Sequence, residues 1–288
     1  MKTRIISALI GLPIAFFAVW QFNSIILNIL GVGVFSIAIY EISNAFKEDS
    51  TKWCAPLLFA LGVVVLMRPY IMISPMQALA AFIFFTALIV VLQFNKIQFK
   101  SVAAGLLFGV FVLFGLYSVS RLKIIMPFDT FGWDGAFLFV LSGAIAWGGD
   151  VMAYFTGVFM GKHKLAPNLS PKKTIEGAVG GVVGSIFFAI LMLYIYSYLK
   201  PWAENSGIVY VITGSKILMV SLVAAIGSCI GIIGDLFASA IKRQCGIKDY
   251  GYIMPGHGGM LDRFDSILLV SPFISVIGDF LVINGGIF

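Results

Sequence analysis

The sequence predicts an all-α membrane protein, a polytopic bundle of about nine transmembrane helices. Hydrophobic residues make up 60% of the 288 residues and aromatic residues 15%, and the mean hydropathy is +1.03, which is typical of membrane proteins. The apolar residues form continuous runs of about 20 residues, the length that a helix needs to cross the hydrocarbon. These runs lack the alternation of a barrel strand, so the other spanning architecture is excluded.

Nine apolar runs are candidate transmembrane helices. They lie near residues 5–22, 25–45, 53–73, 76–94, 101–120, 136–158, 178–199, 217–240 and 267–284. Lys2 and Arg4 precede the first run, as in a secretory signal, but no small-residue cleavage site closes it. We therefore expect a retained helix.

Lysine and arginine residues predict the orientation, because cytoplasmic loops carry an excess of both. With the N-terminus inside, fourteen of the nineteen fall on the cytoplasmic side and five on the outer side. The C-terminus is then outside, and loops 159–176 and 241–266 face the cytoplasm. We expect residues 1–135 to be a scaffold of helices and residues 136–288 to be the catalytic region. In the scaffold, the two intruding charges Glu41 and Arg68 are expected to extend to a membrane interface.

Residues 235–266 hold eight formal charges, a quarter of those in the chain. Asp235, Ser239 and Lys242 are spaced i, i+4 and i+7, which predicts that one helix face presents all three. Asp262 and Asp265 lie three apart, on one side if they are helical.

A glycine-rich turn, residues 255–259, separates these two groups, and glycines there allow backbone N–H groups to approach an anion. It contains His257, whose role is open between general acid or base, phosphate donor and hydrogen-bonded turn residue.

A second polar stretch covers residues 147–184. Asp150 lies in an apolar segment, where a carboxylate costs about 2.5–3.5 kcal/mol unless it is paired, hydrated or cation-bound. The next loop has four lysines, which the positive-inside rule could also explain. Ser170 or Thr174 is a candidate N-cap for the following helix, and Lys172 and Lys173 beside that N-terminus favour anion binding. Closely spaced glycines in this helix and the next one predict close helix packing: Gly177, Gly180, Gly181, Gly184, Gly227, Gly231 and Gly234.

Charge clusters of both signs suit phosphate chemistry. Carboxylates hold a hard divalent cation, and lysines and arginines hold phosphate oxygens. The alternative is a structural loop held by salt bridges. Three cysteines, Cys54, Cys229 and Cys245, form no CxxC pair and are expected to be structural.

The segment SAIKRQCGIKDYGYIMPGHGGMLDRFD, residues 239–265, resembles the signature of the phosphatidate cytidylyltransferases, the CDP-diacylglycerol synthases. Residues 150–154 (DVMAY), 161–165 (GKHKL) and 170–177 (SPKKTIEG) resemble a second block of that family. The resemblance covers the C-terminal half of the chain.

This resemblance implies that CMP is transferred from CTP to phosphatidic acid, giving CDP-diacylglycerol and pyrophosphate at the cytoplasmic face of the cell inner (plasma) membrane. It implies Mg²⁺ as cofactor, with room for a second, monovalent or divalent cation. The implied metal ligands are Asp235, Asp262, Asp265, Asp249 and Asp150. The implied substrate-binding residues are Ser170, Lys172, Lys173, Thr174, Lys242, Arg243, Lys248, His257 and Arg263. The implied catalytic residues are Asp235, Asp262, Lys242, Arg263 and His257.

The expected partners are CTP, phosphatidic acid and the lipid bilayer, and no nucleic acid; homodimer formation is left open. One alternative is a CTP-dependent lipid kinase, which would transfer the γ-phosphate. The other is a secondary transporter of an anionic substrate, with Asp150 and Asp279 as ion-coupling groups.

Overall fold

The computed structural model describes residues 2–46, 49–96, 98–204, 210–253 and 258–285. In chain order its helices are α1 (Lys2–Trp20), α2 (Ile25–Ala45), α3 (Asp49–Leu66), α4 (Pro75–Leu92), α5 (Phe99–Ile125), α6 (Phe128–Phe131), α7 (Asp134–Met160), α8 (Ile175–Ala203), α9 (Gly214–Gln244), α10 (Leu261–Phe264) and α11 (Ile267–Ile283). Two short antiparallel strands, β1 (Lys164–Ala166) and β2 (Ser170–Thr174), separate α7 from α8.

Each of the nine apolar runs overlaps a helix in the described part of the chain. Among the described helices, α2, α5, α7, α8 and α9 are long and apolar enough to cross a membrane. Shorter apolar helices cover Ala55–Leu66, Met76–Leu92 and Ile267–Ile283. The prediction of an all-α membrane protein is confirmed at this level, and the number of crossings and the orientation of the termini stay predictions.

Two local features differ from the expectation. The run predicted at 53–73 stops being helical at Leu66, and a turn follows over Met67–Tyr70. Pro69 lies in that turn, and its ring lacks the N–H group that a continuing helix needs. The hairpin of β1 and β2 was not predicted, because three- and five-residue strands are too short to show a periodic pattern.

Contacts between residues divide the chain into two compact units. The first unit consists of Met1–Ser120 and Ile241–Phe264, and the second of Arg121–Ala240 and Asp265–Phe288. The predicted division at residue 135, between a scaffold and a catalytic region, is a division by function, and it stays a prediction.

The first unit is held together by helix packing and by one buried amide. A methyl group added at Gly62 of α3 would collide with the ring of Phe35 of α2, so the two helices approach closely there. Asn28 of α2 is buried and donates to the carbonyl of Leu66 at 2.6 Å and to the hydroxyl of Ser120 at 2.7 Å. These two bonds link α2 to α3 and α5, because a buried amide must find partners within the protein.

The second unit is built around the antiparallel pair α7 and α8, whose facing surfaces are lined by glycine. A Cβ atom added at Gly181 would lie 3.1 Å from the Cβ of Ala153 and 3.2 Å from the carbonyl oxygen of Gly149. One added at Gly234 of α9 would lie 2.8 Å from the carbonyl oxygen of Asp265. The prediction that glycine spacing marks close helix packing is confirmed at these positions.

Candidate functional site

The carboxylate of Asp262 is the centre of a polar cluster in the first unit. Its Oδ1 accepts a hydrogen bond from the ammonium group of Lys242 at 2.8 Å, and its Oδ2 accepts from the backbone N–H groups of Tyr250 at 2.9 Å and Gly259 at 3.0 Å. The Lys242 and Asp262 side chains are only 10% and 5% exposed. In such surroundings an ion pair interacts more strongly than in water, so both side chains are held in fixed positions.

The Lys242 ammonium group lies beside a pair of stacked aromatic rings. The Tyr250 ring stacks on Phe108 of α5 with 5.4 Å between ring centroids, and the Lys242 ammonium lies 5.4 Å from the centroid of the Tyr250 ring. The segment then turns at Gly258, whose φ of 84° lies in the left-handed region that glycine adopts without strain. This turn brings the Gly259 amide to Asp262.

Glu41, which is not among the predicted site residues, also belongs to this unit. It is 1% exposed, and its two oxygens accept from the backbone N–H groups of Met260 at 2.8 Å and Leu261 at 2.9 Å. The expectation that Glu41 extends to an interface is therefore wrong: its charge is satisfied by the segment that carries Asp262. The signal was present, because a carboxylate inside an apolar run is by default a functional candidate.

In the second unit, Asp235 of α9 forms an ion pair with Lys173 of β2. The Asp235 carboxylate also accepts a hydrogen bond from the Ser239 hydroxyl at 3.3 Å. The prediction that Asp235 and Ser239 share a helix face is confirmed. Lys242, the third residue of that predicted face, pairs with Asp262 in the first unit.

A second group of carboxylates lies at the start of α11. The Ser266 hydroxyl donates to Asp150 at 2.8 Å and lies 3.5 Å from Asp265. Asp262 and Asp265 do not share one helix face, because α10 ends at Phe264. A turn follows, in which the Asp265 carboxylate accepts a hydrogen bond from the Ser266 N–H. Asp265 therefore belongs to the group with Ser266 and Asp150.

The β1–β2 hairpin carries the lysine-rich loop, residues 161–173, and hydrogen bonds with the start of α8 hold it in place. Thr174 is the N-cap of α8, accepting from the Gly177 N–H at 3.0 Å, whereas Ser170 opens β2. Glu176 accepts from the backbone N–H groups of Lys162 and His163 and lies 2.6 Å from the His163 Nδ1. Of the two predicted N-caps, Thr174 is confirmed and Ser170 is wrong.

The remaining predicted residues are exposed or lie outside the described part. Lys172, Lys248, Asp249 and Arg263 are exposed, as is Arg243, which donates to the carbonyl of Ile247 at 3.3 Å. Predicted His257 lies outside the described residues. In the sequence, the exposed basic residues lie next to or within a few residues of the Lys173–Asp235 and Lys242–Asp262 pairs.

The carboxylates are suited to a hard cation. Within the described ranges, no group of three or more His, Cys, Asp or Glu side chains forms a candidate metal site. Asp150 and Asp265 do converge on the Ser266 hydroxyl. Magnesium is usually bound by one or two carboxylates together with water and substrate phosphates. The Asp150 and Asp265 carboxylates therefore fit magnesium, with water and substrate phosphates as its other ligands.

Comparisons with known proteins identify a family and several relatives. Residues 2–281 match a family described as the cytidylyltransferase family. The chain is 32% identical over 285 residues to the phosphatidate cytidylyltransferase of Staphylococcus aureus (strain COL), which covers 96% of this chain and 98% of that protein. It is similar to the phosphatidate cytidylyltransferases of Staphylococcus haemolyticus, at 32% identity, and Staphylococcus epidermidis, at 31%, over the same shares of both chains.

Proposed function

The chain belongs to the cytidylyltransferase family, and from that membership we propose that it transfers CMP from CTP to phosphatidic acid, giving CDP-diacylglycerol and pyrophosphate. It is a multi-pass membrane protein and a nucleotidyltransferase of phospholipid biosynthesis. Its proposed location is the cell inner membrane with the site towards the cytoplasm, where CTP is present. Phosphatidic acid reaches the site from the bilayer.

The observation that carries the assignment of residues is the pairing of lysine with aspartate in both units. Lys242 pairs with Asp262, and Lys173 pairs with Asp235. Three of these four residues belong to the family-like segments, and Asp235 lies four residues before the segment 239–265. A lysine held by a carboxylate is oriented before substrate binds, and preoriented charge is what stabilises a phosphoryl-transfer transition state.

In the proposed reaction an ionised phosphate oxygen of phosphatidic acid attacks the α-phosphorus of CTP. The new bond joins that oxygen to the α-phosphorus, and the bond between the α-phosphorus and the bridging oxygen to the β-phosphate breaks. Pyrophosphate leaves with the electron pair. The protein supplies no covalent nucleophile, because the phosphate of the lipid is already ionised near neutral pH.

The basic residues offset the electrostatic repulsion between CTP and phosphatidic acid, which are both negatively charged. Lys173 and Lys242 are held by carboxylates, and the exposed basic side chains supply further positive charge: Lys172, Arg243, Lys248 and Arg263. Ser170, Thr174 and His257 complete the proposed substrate-binding set. His257 and Arg263 stay proposed catalytic residues with Asp235, Asp262 and Lys242.

Magnesium is the proposed cofactor, and when bound it would neutralise phosphate charge and make pyrophosphate a better leaving group. The residues proposed to hold it are carboxylates: Asp150, Asp235, Asp249, Asp262 and Asp265. A second, monovalent or divalent cation belongs to the same proposal. Because Asp235 and Asp262 are paired with lysines, metal binding there requires those lysines to share or leave their carboxylates.

The alternatives are not favoured. The family match concerns nucleotidyl transfer and not γ-phosphate transfer. The transporter hypothesis uses Asp279, but the Arg121 guanidinium donates to both oxygens of that carboxylate at 2.9 Å. Both hydrogen bonds come from one charged nitrogen, Nη2, so this ion pair holds the Asp279 carboxylate and argues against a role in ion exchange.

Labelled CTP tests the proposal. With phosphatidic acid and magnesium, the purified protein is expected to transfer an α-phosphorus label to a chloroform-soluble product, whereas a γ-label appears in water-soluble pyrophosphate. Asp262→Asn is expected to lower the transfer roughly 10²- to 10³-fold, the usual cost of losing one preorganised electrostatic group. Asp279→Asn, which breaks the ion pair with Arg121, is the control and retains transfer. The proposal fails if folded wild-type protein leaves all α-label in the aqueous phase.

A further inference from the structure

The carboxylate of Glu41 is buried where an unpaired charge would be very unfavourable. Glu41 lies at the end of α2, 1% exposed, in a helix that is otherwise apolar apart from a few hydroxyl and amide groups. Burying a carboxylate requires hydrogen bonds that satisfy its oxygens. Each oxygen has one from the backbone: Oε1 accepts from Met260 and Oε2 from Leu261.

The segment that Glu41 binds is the one that carries Asp262. Met260 and Leu261 directly precede Asp262 in the chain, and the Gly259 N–H donates to Asp262 at 3.0 Å. Three successive amides are therefore divided between two carboxylates, residues 260 and 261 to Glu41 and residue 259 to Asp262. A shift of this segment would move the Asp262 carboxylate relative to Lys242.

Two glycines make this close approach feasible. A Cβ atom added at Gly251 or at Gly259 would lie 2.7 Å from the Glu41 Oε1, closer than side-chain carbons normally come. One added at Gly259 would also lie 2.8 Å from the backbone nitrogen of Gly251. The carboxylate is thus surrounded on two sides by backbone that lacks side chains.

We propose that Glu41 is a positioning residue of the transfer reaction, which fixes residues 259–262 and thereby the orientation of the Asp262 carboxylate. The inference rests on the proposed function for the role of Asp262. It gives the N-terminal helices a part in the site beyond that of a scaffold. Residues that orient the groups in direct contact with substrate or metal typically contribute roughly 10- to 100-fold to activity or affinity.

Glu41→Gln tests the proposal in the full-length protein in detergent. The amide group of glutamine has one acceptor oxygen, so one backbone N–H at Met260 or Leu261 loses its partner and faces an NH₂ group. Hydrogen exchange at one or both of these amides is expected to rise roughly tenfold. With CTP and phosphatidic acid, kcat is expected to fall roughly 10- to 100-fold, with little change in the KM for CTP. Glu41→Asp keeps both oxygens and the charge on a shorter side chain, and we expect values between those of Glu41→Gln and wild type.

Asn28→Ala is the matched control, because Asn28 is a buried polar residue of the same helix with two hydrogen bonds elsewhere in the first unit. It is expected to lower thermal stability but to leave exchange at Met260 and Leu261, and kcat, as in wild type. Wild-type exchange at both amides or wild-type kcat in Glu41→Gln overturns the proposal, as does the same loss of kcat in Asn28→Ala.

If Glu41→Gln does not fold, Glu41→Asp decides: faster exchange together with lower kcat supports the proposal, and wild-type values of either overturn it. A wild-type protein that transfers no CMP refutes the proposed function. Amide exchange then decides by itself whether Glu41 holds the segment.

Discussion

At the scale of single residues, the two ion pairs differ from surface salt bridges. The carboxylates of Asp235 and Asp262 are both largely buried, each beside a lysine that comes from another part of the chain. Removing one partner of such a pair leaves a charge without compensation, which costs far more than the loss of an exposed pair. The lysine that contacts Asp235 should therefore matter more than its neighbour.

Two adjacent lysines allow a direct comparison. Lys173 is half-buried and paired with Asp235, whereas Lys172 is exposed. Lys173→Met is expected to lower kcat/KM for CTP roughly 10- to 100-fold, since a hydrogen bond to a charged group is lost and its partner stays partly buried. Lys172→Met is expected to have a smaller effect in the same steady-state assay. A larger loss for Lys172→Met would contradict the importance of the pair.

Sequence spacing predicted some of these contacts and missed others for a physical reason. Asp235 and Ser239 are one helical turn apart, so local periodicity was sufficient to place them together. Glu41 and Leu261 are 220 residues apart, and no local pattern reports a contact over that separation. Their contact depends on tertiary packing, which a single sequence does not encode in its periodicity.

At the scale of elements, hydropathy predicted where helices occur but not where they end. Continuous apolar runs require helices, because backbone N–H and C=O groups must be satisfied within the segment. The ends depend on particular residues: Thr174 caps α8, and the break after Phe264 separates α10 from α11. Such breaks decide which side chains converge, and the expected shared face of Asp262 and Asp265 failed at this point.

The glycine-lined contact between α7 and α8 gives a stability prediction. Gly181→Val introduces a branched side chain where even a Cβ atom would lie 3.1 Å from the Cβ of Ala153. Overpacking of this kind typically costs about 1–3 kcal/mol, so the Tm of the detergent-solubilised protein is expected to fall. Gly31→Val in α2 is the control, because nothing lies within 4 Å of an added Cβ there. Equal Tm values for the two variants would refute the close packing.

At the scale of the whole molecule, charge distribution predicts which segments face the cytoplasm. Lysine and arginine bias sets orientation in polytopic proteins, and the helices that separate the polar segments are apolar. Both family-like segments are expected on the same side of the membrane, because CTP must reach both. The side of the membrane that these segments face is predicted from the distribution of lysine and arginine, and not from side-chain contacts.

Single cysteines in a background without Cys54, Cys229 and Cys245 test the orientation. Asn168→Cys and Gln244→Cys are expected to react with an impermeant thiol reagent only when it reaches the cytoplasmic side, and Thr213→Cys only from outside. All three positions are exposed. Labelling of Gln244→Cys in intact cells would reverse the predicted orientation.

The bonds between Glu41 and residues 260–261 also set an order of events during synthesis. Glu41 and Met260 are 219 residues apart, and ribosomes add about 5–20 residues per second. Roughly 10–40 s therefore pass between the synthesis of the carboxylate and that of its amide partners. During that interval the Glu41 carboxylate lacks these two backbone partners, and an unpaired carboxylate in a membrane helix is unfavourable. A nascent chain that stalls after α9 would therefore keep this carboxylate without the two hydrogen bonds that satisfy it in the finished protein.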